Sequence, residues 1–91
     1  MMQPLQNLQQ LIDNDRLTDA IELLDRLIEE DGWNDELYTL RGKLHWRMGR
    51  HALAQSDFEH ALAINPESSA STAVELIKNV FDFYNPDLLN P

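Results

Sequence analysis

A shift of thirty-four residues lays LTDAIELLDRLIEE (17–30) over HALAQSDFEHALAI (51–64). Ala20 then falls on Ala54, Leu24 on Phe58, Leu27 on Ala61 and Ile28 on Leu62. Few residues are identical, yet the spacing of small and large apolar side chains is kept. A period of this length belongs to repeat architectures, in which each unit buries its apolar face only by stacking on the next. Inside both segments the apolar residues recur at steps of three and four, which marks one face of an α-helix. No stretch alternates with period two for long enough to make a strand. The chain reads as all-α.

Punctuation divides it into five helices. The first covers about 3–13, with Pro4 tolerated in its opening turn. Asp13-Asn14-Asp15 breaks it, because short side chains that bond their own backbone favour turns. The second runs about 17–30, with Asp15 as N-cap and Asp19 at the positive end of the helix dipole. Gly32 is expected to close it in the left-handed conformation. Asn34 caps the third helix, about 35–48, and Trp33 is expected to staple onto Tyr38. Gly49 ends that helix. The fourth, about 51–64, stops at Asn65-Pro66, since the residue before proline is pushed out of helical geometry. Ser68 or Ser69 caps a fifth helix that reaches about Tyr84. Short connections make consecutive helices antiparallel neighbours.

Composition excludes several classes. Seven Lys and Arg against sixteen Asp and Glu give a net charge of −9, which repels nucleic acid and anionic membrane surfaces. There is no cysteine, hence no disulfide, thiolate zinc site or cysteine nucleophile. The opening MMQPLQNLQQ has neither basic residues nor an apolar block, so it is not expected to be a signal peptide. No apolar run approaches the ~18 residues of a membrane helix. These features lead to the expectation of a soluble cytoplasmic chain.

Residues 35–68, DELYTLRGKLHWRMGRHALAQSDFEHALAINPES, resemble a tetratricopeptide repeat. Tyr38, Gly42, Gly49, Ala54, Phe58, Ala61 and Pro66 stand at the family's marked places. The departures are His45 and His51, where the family often has tyrosine, and Arg41, where it often has leucine. Residues 1–34 match through Ala20 and the apolar spacing, but lack both glycines and carry Gly32 in place of the proline. Residues 69–84 look like a first helix without its partner. The resemblance implies an α-α superhelix of two helix-turn-helix repeats, about 1–34 and 35–68, with a capping helix at about 69–84. Together these make one domain, 1–84, followed by a tail, 85–91.

On a helical wheel of 35–48, Leu37, Tyr38, Arg41, Leu44, His45 and Met48 share one side and should face the fourth helix. Glu36, Thr39, Leu40, Lys43, Trp46 and Arg47 share the other. The resemblance places this second stripe on an inner, concave surface. Four of the seven cations fall between 41 and 50, whereas ten of the sixteen acids fall between 13 and 36. A basic, aromatic-bearing patch in an acidic chain suits a carboxylate or an acidic peptide. The plainer alternative is that Lys43 and Arg47 pair with acids of the preceding helix while Trp46 shields apolar neighbours. Gln6 and Gln9 could bond the main chain of an extended peptide or simply solvate the surface. The family's carboxylate clamp needs a lysine and asparagines where Leu5, Gln9 and Leu40 stand, so that activity is not expected.

Other polar residues read as structural. Arg41 lies on the core-facing stripe opposite Asp57, which suggests a salt bridge tying two helices. His45, His51 and His60 lack an HExxH or any repeated ligand pair, so no metal is expected. There is no Ser-His-Asp framework, no GxSxG and no phosphate-binding glycine loop, so neither an enzyme nor a cofactor is expected.

The reading is therefore a non-catalytic protein–protein interaction module, an adaptor or scaffold. Its concave groove would hold a peptide or helix, preferably acidic, through Leu5, Gln9, Thr39, Lys43, Trp46, Arg47, Ile77 and Phe81. The chain is expected to be a monomer or weak homodimer, and the alternative function is a self-associating structural module. Its groove is then filled by a second copy or by the chain's own tail, with Leu88 and Leu89 folding back and Asp87 nearing Lys43 and Arg47.

Overall fold

The computed structural model describes residues 4–84, and the side chains of 7–78. The side chains of Leu5, Gln6 and Phe81 and the whole tail 85–91 lie outside the described residues. Five helices follow one another: α1 (Pro4–Asp13), α2 (Leu17–Glu30), α3 (Asp35–Arg47), α4 (His51–Ile64) and α5 (Ala70–Tyr84). No strand occurs among the described residues. Each helix packs on its neighbours in sequence, and α3 packs most extensively on α4.

The thirty-four-residue period is written into the backbone. α2 and α4 start and stop in register, at 17–30 and 51–64. Asp15 and Gly49 both adopt the left-handed conformation, with φ 60° and 79°. Arg16 and Arg50 follow with φ −92° each and ψ 66° and 69°. The Arg16 N–H donates to the Leu11 carbonyl and the Arg50 N–H to the His45 carbonyl, both at 2.8 Å. One turn geometry thus serves both helix pairs, although only the second has glycine at its left-handed position.

Burial follows the same register. Leu8, Ala20, Ile21, Leu24, Leu37 and Leu44 form one apolar cluster across α1, α2 and α3. Tyr38, Ala54, Phe58, Ala61 and Ala70 form a second across α3, α4 and the start of α5. Leu24 and Phe58, one period apart, are the largest fully buried side chains. Gly42 makes room for the latter: a Cβ there would stand 2.6 Å from Phe58 Cε1 and 2.8 Å from Cδ1. Alanines at 54, 61 and 70 let α4 come close to its neighbours on either side.

The helix ends confirm some expectations and correct others. Asn34 caps α3 by accepting the Glu36 N–H at 3.1 Å. Asn65 leaves α4 in extended geometry before Pro66. Ser68 Oγ accepts the Ala70 N–H at 3.2 Å. Asp15, however, is not the cap of α2. It is spent on the left-handed turn, and Arg16 takes the cap position without a side-chain bond. Gly32 is not left-handed either, because Asp31 already leaves the helix at φ −140°. Nor does Trp33 staple onto Tyr38. It is 85% exposed, while the Tyr38 ring stacks on His60 at 4.1 Å.

Candidate functional site

The two helices that carry Trp46 and Ile77 enclose a groove. Residues 43, 46 and 47 lie within one turn of α3, so Lys43, Trp46 and Arg47 project to one side. Ala73, Leu76 and Ile77, at steps of three and four on α5, form the opposite wall. Phe58 of α4 makes the floor between them, and the cavity measures about 310 Å³. That volume stands near the lower end of small-ligand pockets and suits one large side chain or a short apolar segment. The walls are almost wholly apolar and the two cations sit among them.

Trp46 is half-buried, joins the second apolar cluster and leans on the His51 ring at 4.0 Å. It is therefore a wall of the groove, neither sealed in the core nor standing clear of it. Lys43 is exposed and has no ion-pair partner among the described residues. Arg47 Nη2 lies 3.6 Å from Asp15 Oδ1, both side chains being at least half exposed. Such pairs contribute little and rearrange readily. The pairing alternative thus holds loosely for Arg47, through the α1–α2 turn rather than the preceding helix, and fails for Lys43.

The remaining expected groove residues are placed differently. Thr39 is buried, and its hydroxyl belongs to a relay. It donates to the Asp35 carbonyl at 2.9 Å and lies 3.2 Å from Ser68 Oγ. Since the Thr39 proton is committed to Asp35, the Ser68 hydroxyl must donate to Thr39 while accepting from Ala70. Thr39 therefore fastens α3 to the start of α5 instead of lining the groove. Gln9 is exposed, and its Nε2 donates to Asp13 on its own helix at 2.9 Å. Sequence reasoning missed Phe58, Ala73 and Leu76 as lining. The step of four from Ile77 back to Ala73 was the available signal, but the floor depends on the absent Cβ of Gly42, which no periodicity reveals.

A partly buried charge network joins α3 to α2 and α4. Arg41 Nε and Nη2 grip Asp57 Oδ2 and Oδ1 at 2.9 and 2.7 Å. The third guanidinium nitrogen, Nη1, donates to Asp25 of α2 at 2.8 Å. The expected α3–α4 bridge is present, and the extra arm to α2 ties three helices together. Its cation also lies over the Tyr38 ring, 5.5 Å from the centroid. Hydrogen bonding to Asp57, opposed by burial, holds Arg41 protonated well above the ordinary range. His45 is buried beside it, with Nε2 3.9 Å from Asp57 and no hydrogen-bond partner for Nδ1. Burial lowers its pKa, and the nearby Asp57 only partly opposes that. His51 and His60 are both taken up in ring contacts, with Trp46 and Tyr38. No group of three or more His, Asp or Glu able to hold a metal occurs among the described residues. No described helix is long and apolar enough to cross a membrane.

Residues 35–68, the α3–α4 pair with its flanking turns, match the family model of the tetratricopeptide repeat. No curated protein and no solved structure gives a significant match. Tetratricopeptide repeats generally act as non-catalytic modules of protein–protein interaction. The matched segment is similar to a tetratricopeptide repeat, and the all-helical fold around it and the period repeated in the backbone are consistent with a tetratricopeptide-repeat-like arrangement.

Proposed function

We propose that the α3–α5 groove is a docking site for an acidic, apolar stretch of polypeptide, and that the protein serves as an adaptor. The observation that carries this reading is an apolar cavity of about 310 Å³ with Lys43 and Arg47 among its lining residues. Apolar burial against Trp46, Phe58 and Ile77 supplies affinity. The two cations select carboxylates near the anchor and disfavour basic segments. In this reading Thr39 shapes the wall from within, and Gln9 plays no part in the anchor.

Calorimetric titration with a peptide of alternating Leu and Glu tests the proposal against the same peptide with Lys for Glu. The acidic peptide binds and the basic one does not. Lys43→Glu/Arg47→Glu weakens the acidic peptide by about tenfold or more, equivalent to ~1.4 kcal/mol. Equal binding of both peptides, or an unaffected double variant, rules the groove out.

A further inference from the structure

The most exposed aromatic side chain among the described residues lies outside the groove. Trp33, 85% exposed, sits at the corner between α2 and α3. The sequence on either side of it carries Glu29, Glu30, Asp31, Asp35 and Glu36 with no cation among them. None of the five forms an ion pair among the described residues. An exposed indole in a stretch of chain that is acidic on both sides is the complement of an apolar trough bearing two cations.

We propose that the groove is occupied by the Trp33 corner of a second copy of this chain. The inference rests on reading the groove as a site for acidic, apolar polypeptide, and it names the occupant. The indole fills the space bounded by Trp46, Phe58 and Ile77, while the corner's carboxylates meet Lys43 and Arg47. A copy cannot serve itself. Trp33 precedes α3, whereas the groove cations lie at the far end of that helix. Ten residues at 1.5 Å each leave about 15 Å between them. The contact joins two different patches, so a pair still has one corner free on one copy and one groove free on the other, and association runs head to tail into open chains. With a net charge of −9 the copies repel as wholes. At physiological salt the screening length of about 8 Å mutes that repulsion but leaves touching groups their attraction. One indole and its rim make a small interface of the weak, transient class.

Sedimentation velocity on the full chain at about 0.15 M salt, up to about 1 mM protein, tests the proposal. The wild type gains average mass with concentration. Trp33→Ala, which removes an exposed side chain, and Lys43→Glu/Arg47→Glu each stay monomeric with unchanged melting temperature. Mixed in equal amounts, the two variants form a complex that stops at two copies, because only one corner and one groove remain intact. A monomeric wild type, an associating Trp33→Ala or a mixture that stays apart each overturns the proposal. If the wild type stays monomeric but still binds the acidic peptide through Lys43 and Arg47, only the second copy is rejected and the groove reading survives. If Trp33→Ala associates until residues 85–91 are removed, the groove belongs to the tail, and the Trp33 corner is again rejected.

Discussion

Asp15 and Gly49, one period apart, hold the same left-handed turn at φ 60° and 79°. A Cβ placed on Gly49 would meet nothing within 4 Å, so any substitution there is opposed by backbone conformation alone. Gly49→Ala should lower stability by about 1–2 kcal/mol in urea unfolding. Gly49→Asn should cost clearly less, because its side chain tolerates this region as Asp15 does one period earlier. Equal losses would contradict the conformational account.

Gly42 tests a steric argument instead. Its missing Cβ leaves room for the Phe58 ring, which is fixed in the core at 1% exposure and cannot swing aside. Gly42→Ala should therefore destabilise by about 1–3 kcal/mol through overpacking. The better helix propensity of alanine recovers at most about 1 kcal/mol of that. Gly42→Ala combined with Phe58→Leu should be less harmful than the two single losses added together.

The Arg41 network predicts unequal partners. Asp57 is buried, whereas the Asp25 side chain is half exposed. Asp57→Ala removes two charge-assisted bonds from the partly buried Arg41, which keeps only Asp25, and should cost about 1.5–3 kcal/mol. Asp25→Ala leaves water to replace the lost bond and should cost under about 1 kcal/mol. Thermal melts of the two variants decide the matter, and a larger effect at Asp25 would contradict it.

His45 gives the protein a pH dependence with a fixed sign. Its folded-state pKa lies below the unfolded value of 6.5, so the unfolded chain binds the proton more readily. The stability is whole above pH 6.5 and is lost as pH falls from there through the folded pKa, with a slope of at most about 1.4 kcal/mol per unit. The charged groups facing the ring are Asp57 on α4, Arg41 on α3, Asp25 on α2 and Arg50 in the turn. His45→Gln should flatten the stability profile between pH 6.5 and about 5, above the range where carboxylates titrate. An unchanged profile would remove His45 as its source.

Much of the fold could be read from the chain because helix faces, breakers and a period are properties of residue order. Ala20 over Ala54 and Leu24 over Phe58 announced the stacking, and Arg41 opposite Asp57 announced the bridge. What could not be read depends on which residue absorbs a local conflict. Asp15 has the chemistry of an N-cap and of a left-handed residue, and the turn takes the second. Trp33 precedes a cap as a staple should, yet stacking on His60 satisfies the Tyr38 ring and leaves the indole in water. Thr39 sits on the inner stripe by helical angle, but its hydroxyl has a buried partner in Ser68, contributed by a segment twenty-nine residues away. For the groove, Lys43, Trp46, Arg47 and Ile77 were legible as a stripe, whereas its depth depends on how Gly42 seats Phe58.

The central claim, that an acidic, apolar ligand enters between α3 and α5, is tested most directly through Trp46. The chain has two tryptophans, so Trp33→Phe leaves Trp46 as the sole indole reporter. Titrated with the Leu- and Glu-containing peptide, this variant should show a saturating blue shift of tryptophan emission. Adding Lys43→Glu/Arg47→Glu should abolish the shift. Peptide binding that leaves the Trp46 emission unchanged would place the site elsewhere on the molecule and contradict the account.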